Sequence, residues 1–197
     1  MKHIVIATNN KNKVYEFKSM LNNNVEFKTL NEIGYNKEII EDGNTFEENA
    51  IIKATQVAKD LGLITIADDS GLEVEALNGA PGIYSARYSG TGSDDENNKL
   101  LIKNLKGIKN RKANYTCAIC IAYPDGKYIT AVEKCYGIII DEPKGKNGFG
   151  YDPYFYIDKF KRTMAEITLE EKNTISHRAK ALEELKGLYE EFVNSKW

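Results

Sequence analysis

The sequence predicts an α/β protein whose mixed sheet is flanked by helices and divided between two lobes. Three observations carry that expectation. Short β-branched apolar runs alternate with stretches of helical apolar spacing. A turn sequence, Pro124-Asp125-Gly126, joins two long strand-like segments into a hairpin. Nothing repeats, and no segment is of low complexity. Interleaved helices favour parallel strand pairing while a hairpin imposes antiparallel pairing, so the sheet is mixed and not simply doubly wound. The expected domain spans residues 1–197 as a single two-lobed unit with a cleft between the lobes.

Lys2 to Ala7 reads as a short buried strand running into the polar turn Thr8-Asn9-Asn10, after which Val14, Phe17 and Leu21 take up helical spacing. Val25 to Leu30 is a second strand, followed by a loop through Gly34 and Gly43. Thr45-Phe46-Glu47-Glu48 has the capping-box pattern; Ala50, Ile51, Ala54, Val57, Ala58 and Leu61 supply the apolar face, and Gly62 ends the helix. Leu63 to Ala67 is a strand that delivers Asp68-Asp69-Ser70-Gly71 at its C-terminal end. A helix is expected over Asp94 to Leu105, and strands over Tyr115 to Tyr123 and Lys127 to Ile140. The loop from Lys144 to Pro153 is too glycine-rich to be regular, and Tyr154 to Ile157 is a further strand. Ile175, Ala179, Leu182, Leu185, Leu188 and Phe192 form the stripe of a C-terminal helix.

Composition narrows the function. With 27 Lys and Arg against 29 Asp and Glu the net charge is −2, so attraction to a nucleic-acid backbone has no support and any anion is bound locally. No apolar run approaches the ~18 residues of a membrane span, and Ile4-Val5-Ile6-Ala7 is too short for a signal core, which points to the cytoplasm. The three cysteines include Cys117-Ala-Ile-Cys120. In a strand, residues three apart face opposite sides, so these thiols are expected to be buried structural groups and not a metal pair or a disulfide.

Several residues break local rules. A helix start carries partial positive charge, yet Lys11 and Lys13 sit at one and His177-Arg178 at another, with Lys172 just upstream. Either the lysines are solvated on a capped helix, or Thr8, Asn9, Asn10 and the first-turn amides form a phosphate cradle with them. Two such starts favour one anionic ligand. For Lys172 a surface ion pair with Glu170 or Glu171 competes. Asp68 and Asp69 either close a turn or divide two tasks, one holding Mg²⁺ or a water and the other accepting turn hydrogen bonds. Glu41 has no local role, whereas Glu48 has one as the capping partner of Thr45. Phe149, Tyr151 and Asp152, between Gly148 and Gly150, read as a glycine turn with a core aromatic or as a platform for a flat base. Phosphate cradle, metal carboxylates and platform together describe a nucleotide site.

The motifs resemble those of the inosine triphosphate pyrophosphatase family from Ile4 to about Leu185, through Ala7-Thr8-Asn9-Asn10-Lys11-Asn12-Lys13, Thr45-Phe46-Glu47-Glu48-Asn49-Ala50, Ala67-Asp68-Asp69-Ser70-Gly71-Leu72, Gly79 to Tyr88, Gly148-Phe149-Gly150-Tyr151-Asp152-Pro153 and Ser176-His177-Arg178. The resemblance implies hydrolysis of XTP, ITP and dITP to the monophosphate and pyrophosphate, in an elongated two-lobed fold that is usually a homodimer. It implies that Thr8, Asn10 and Lys13 bind the triphosphate, within a turn that also carries Asn9, Lys11 and Asn12. Glu41 and Asp69 then hold Mg²⁺, with Asp69 the general base. Ser70, Lys53, Phe149, Gly150, Tyr151, Asp152, Lys172, His177 and Arg178 fall where the family binds substrate, the last few around the purine. Two other readings remain: a Maf-type pyrophosphatase for pyrimidine or modified nucleotides, which lacks the Ser-His-Arg helix start, and a non-catalytic nucleotide sensor.

Overall fold

A computed structural model describes residues 3–21 and 26–194, with side chains as far as Lys186. The expected contributions of Lys2 and Val25 to strands, and of Leu188 and Phe192 to the last apolar stripe, lie outside what is described. The sheet has seven strands in the order β2-β1-β3-β4-β5-β6-β7. These are β1 (His3–Ile6), β2 (Glu26–Thr29), β3 (Ile64–Val74), β4 (Lys112–Ala122), β5 (Tyr128–Ile139), β6 (Phe155–Ile157) and β7 (Arg162–Thr163). β1 pairs in parallel with β2 and β3, whereas β6 pairs antiparallel with β5 and β7, so the sheet is mixed. The β4–β5 hairpin closes where expected, with the Gly126 N–H donating to the Tyr123 carbonyl at 3.1 Å.

Among the described residues five α-helices join the strands: α1 (Lys11–Met20), α2 (Phe46–Leu61), α3 (Asp94–Asn104), α4 (Leu169–Asn173) and α5 (His177–Asn194). Asn10, Thr45, Ser93 and Thr168 cap the first four, each accepting first-turn N–H groups through a side-chain oxygen. The reciprocal capping box expected at Thr45 and Glu48 is only half present. Thr45 Oγ1 accepts the Glu48 N–H at 3.1 Å, but the Glu48 carboxylate takes the N–H of Asn44 at 2.6 Å. The full box stands at Thr168 and Glu171, where the sequence reading placed no helix. β3 also departs from expectation: it does not stop at Ala67 but carries Asp68, Asp69, Ser70 and Gly71 within it.

The chain forms two compact units. Unit 1 comprises residues 1–69, 117–133 and 178–197, and its apolar core joins Ile4, Ile6, Phe17, Ile66, Ile119 and Leu185. Unit 2 comprises 70–116 and 134–177, with Leu72, Leu101, Tyr115, Phe155, Met164 and Ile167 in its core. Each thus has its own apolar cluster, which supplies most of the driving force for its folding. All three cysteines are buried, in keeping with their expected structural role; burial pushes the Cys117 and Cys120 thiols up to about 12. Among the described residues no helix is long and apolar enough to cross a membrane.

Candidate active site

In unit 1 the site is built on the end of β1, the start of α1 and the middle of β3. Asn10 accepts the N–H groups of Asn12 and Lys13 at 2.9 and 3.2 Å, and its own N–H donates to Thr8 Oγ1 at 3.2 Å. Two of the first-turn N–H groups are therefore already satisfied, so the positive end of α1 is less open than a cradle of free amides would be. No acid stands in that turn. Asn9, Lys11 and Asn12 are exposed, while Lys13 turns inward and its Nζ lies 2.9 Å from Asp68.

Asp68 is the hub of a buried charge network. Its side chain is 0% exposed, and Arg178 Nη2 donates to it at 2.8 Å. Arg178 in turn binds Glu16 through Nη1, and both those residues are buried. Burial alone pushes a carboxyl up, but here Lys13, Arg178 and Lys53 outweigh it and hold Asp68 well below the usual carboxylate range. The same exchange of charge pushes Arg178 up against the pull of its own burial. The expectation that one of the two aspartates closes a turn is corrected accordingly. No turn exists there, because ion pairs from α1 and α5 allow the strand to continue through a charged residue.

Asp69, its side chain on the opposite face of β3, has different partners. Asn49 Nδ2, from the first turns of α2, donates to Asp69 Oδ2 at 3.0 Å. Lys53 Nζ sits 2.7 Å from Glu41 and donates to the Asp68 carbonyl at 3.1 Å, which fixes the lysine beside the strand. Burial raises the Asp69 carboxyl above its ordinary value and the negative charge of Glu41 adds to this, while Lys53, Lys13 and the Asn49 bond oppose it. Two oxygen-bearing acids that feel each other's charge fit Mg²⁺, which takes one or two protein carboxylates and completes its shell with water and phosphate oxygens.

In unit 2 the loop Gly148 to Asp152 is held by hydrogen bonds to its backbone. Asp152, 2% exposed, accepts the Phe149 N–H at 3.1 Å and lies 2.8 Å from Lys172 Nζ. That pair is buried, which excludes the surface pairing of Lys172 with Glu170 or Glu171. Gly148 is required here: its φ is +74°, and a Cβ would come within 2.0 Å of the Asp152 carboxylate. The Lys172 ammonium lies 5.2 Å from the centre of the half-buried Phe149 ring. Tyr151 is buried and donates its hydroxyl to the Ser85 carbonyl at 2.8 Å, so it is the core aromatic of the loop. His177 stacks on Tyr115 at 5.0 Å between ring centres, and Tyr115 packs in turn on Phe155. Ser70 opens the segment in which Gly71 passes Ser85 so closely that a Cβ would meet its Oγ at 2.4 Å.

Of the residues expected at the site, the structure brings Thr8, Asn10, Lys13, Glu41, Lys53, Asp69 and Arg178 into unit 1, and Ser70, Phe149 to Asp152, Lys172 and His177 into unit 2. Sequence reasoning missed Glu16, Asn49, Asp94, Asn98 and Tyr115. For Glu16 a signal existed, since an acid beside Phe17 and three residues beyond Lys13 lies on the inner face of α1. Asn97-Asn98, two poor helix formers inside a helix, was another.

A mixed α/β sheet with an acid pair and two lysines beside one strand, and a glycine-framed aromatic loop farther along the chain, defines a recognisable class of protein. The chain belongs to the Ham1 family, which it matches over residues 4–188, and this bears out the resemblance drawn from its motifs. It is 53% identical over 186 residues to a dITP/XTP pyrophosphatase of Desulfotalea psychrophila, covering 93% of this chain and 83% of that one. A dITP/XTP pyrophosphatase of Bacillus subtilis is 48% identical over 194 residues, covering 96% and 98%. Among solved structures, the Ham1 protein of Staphylococcus aureus superimposes with a TM-score of 0.87 at 44% identity, covering 96% of this chain and 98% of that one. A HAM1 protein from Coxiella burnetii gives 0.88 at 41% identity, covering 97% and 100%.

Proposed function

We propose that the chain hydrolyses non-standard purine nucleoside triphosphates, XTP, ITP and dITP, to the monophosphate and pyrophosphate, and so removes deaminated purines from the nucleotide pool. Relatives named for dITP and XTP, matched over nearly the whole chain, support the substrate class. The observation that carries the chemistry is the grouping on one side of β3 of Asp69 with Asn49, Glu41 and Lys53, Asn49 donating to Asp69 at 3.0 Å and Lys53 lying 2.7 Å from Glu41. A carboxylate held in that place is positioned to take a proton from the attacking water. As the phosphoric anhydride bond breaks, pyrophosphate leaves, and Lys13 and Lys53 offset the charge that gathers on the phosphate oxygens. Mg²⁺, held by Glu41 and Asp69, would supply charge neutralisation and a more acidic bound water.

Thr8 and Asn10 are assigned with Lys13 to the phosphates. Phe149, Gly150, Asp152, Lys172 and His177 are assigned to the purine, and Ser70 to substrate contact. Hypoxanthine and xanthine carry a carbonyl at C6 where adenine carries an amino donor. A buried donor aimed at that position discriminates by about 10⁴, because adenine would leave it unpaired. Arg178 or His177, adjacent at the start of α5, supplies that donor, and Glu16 and Asp68 fix the Arg178 guanidinium. The resemblance further supports a cytoplasmic homodimer that acts on free nucleotides.

Pyrophosphate release measured with Mg²⁺ from ITP, XTP, dTTP, UTP and ATP in parallel tests this reading. ITP and XTP should exceed ATP by at least about 10²-fold in kcat/KM, within the range a site built to pair with a substrate group achieves. Faster cleavage of dTTP or UTP would move the protein to the Maf type, and binding without release would make it a sensor.

A further inference from the structure

We propose that Asp94 and Asn98, one turn apart on α3, are positioning residues for the purine platform: together they fix Gly150, through the peptide groups on either side of it, and so help to set where the Phe149 ring stands. The proposal rests on the assignment of the loop to the base. Asp94 Oδ2 accepts the Gly150 N–H at 2.8 Å, and Asn98 Nδ2 donates to the Gly150 carbonyl at 2.9 Å. Residues four apart share one face of a helix, so a single rigid element holds both polar groups of one residue. Gly150 needs such a hold. Its φ is +63° and a Cβ there would meet nothing within 4 Å, so crowding does not confine its backbone.

Asn98 is an expensive way to fill its place unless that bond is the purpose. The side chain is 6% exposed, and among the described residues its Oδ1 has no hydrogen-bond partner. A buried acceptor left unpaired costs stability that an apolar residue of similar shape would not. Its neighbour Asn97 has a different task, accepting the Ser89 N–H at 2.7 Å and donating to the Ala86 carbonyl at 3.2 Å. The other ties of the loop run through Tyr151 and through Asp152, whose carboxylate accepts the Phe149 N–H at 3.1 Å and whose own N–H donates to the Phe149 carbonyl at 3.3 Å. Asp152 thus holds the backbone of Phe149, and the α3 pair holds the residue that follows it.

The test is steady-state kinetics on Asp94→Ala, Asn98→Leu, Asp94→Asn and Phe149→Ala, with folding checked by thermal denaturation. Asp94→Ala and Asn98→Leu should each raise KM for ITP about five- to tenfold, keep kcat within about twofold, and lower the preference for ITP over ATP by the same order. Asp94→Asn, which retains an acceptor, should stay near the parent. The double variant should lose less than the product of the two single effects, since both hold one residue. If Phe149→Ala raises KM while Asp94→Ala and Asn98→Leu leave KM and preference unchanged, the clamp is refuted and the platform stands. If Phe149→Ala leaves KM unchanged too, the loop assignment falls and takes the clamp with it. Should Asn98→Leu fail to fold, Asp94→Ala decides alone, because Asp94 is exposed.

Discussion

Asp68 in unit 1 and the Gly148–Asp152 loop in unit 2 are both fixed from several sides, but by different physics. Asp68 is a full charge buried among Lys13, Arg178 and Glu16, so its place depends on ion pairs that are strong only because water is excluded. The loop is held mainly by neutral backbone groups, Phe149 N–H to Asp152 and Gly150 to Asp94 and Asn98, with the Asp152–Lys172 pair beneath it. A charged network suits phosphate chemistry, in which the field must stand ready before substrate arrives. A hydrogen-bonded loop suits recognition of a flat base, where the position of one ring matters more than the local potential.

Removing Asp68 should break that contrast most severely. Asp68→Ala leaves Lys13 and Arg178 buried without their shared partner, and by the usual cost of such a break it should lose about 3–5 kcal/mol in urea denaturation. A loss under about 1 kcal/mol would mean that the network is not what holds the site. Gly148→Ala should do less, about 1–3 kcal/mol, since it adds one Cβ at a left-handed position against the Asp152 carboxylate. Its kinetic mark should be a raised KM for ITP with kcat largely kept, as expected of the recognition side.

Smaller still are the pH effects, which sharpen the comparison because Asp68 gives unit 1 an acid-side dependence, while burial raises Cys117 and Cys120 in unit 1 and Tyr151 in unit 2. The folded state depresses Asp68, so the stability it contributes is complete above the unfolded carboxyl range near 4 and is lost as pH falls below it. Cys117 and Cys120 are raised to about 12, so their contribution is complete below the unfolded thiol range near 8.5 and is lost as pH climbs from there toward 12. Urea midpoints across pH should fall at both ends, and the alkaline fall should shrink in Cys120→Ala. At pH 8 the native thiols should resist labelling that is rapid once the chain is unfolded.

Most of the fold was legible because its signals are local. The α2 apolar face, the Pro124-Asp125-Gly126 turn and the spacing from Ala179 to Leu185 in α5 each depend on residues close together in the chain. β3 shows where local reading ends: an apolar run followed by two aspartates reads as a strand that stops, and it continues because Lys13 and Arg178, the latter 110 residues later, neutralise Asp68. For the site, Lys13 and Lys172 were legible as cations out of place at or near helix starts, but their partners Asp68 and Asp152 were not. Pairing across the chain is decided by tertiary packing and leaves no trace in spacing. Asn98 was hidden for the same reason, its partner being a glycine backbone group 52 residues away.

Asp69, fixed by Asn49 beside Glu41 and Lys53, is assigned to take the proton of the attacking water, and turnover and nucleotide binding by Asp69→Asn test that assignment most directly. The amide keeps the shape of the side chain and can still accept a hydrogen bond from Asn49. The account predicts an unchanged urea midpoint, retained binding of ITP by calorimetry, and pyrophosphate release reduced by about 10³-fold or more, within the range of a lost general base. Turnover within about tenfold of the parent, with the fold intact, would contradict it.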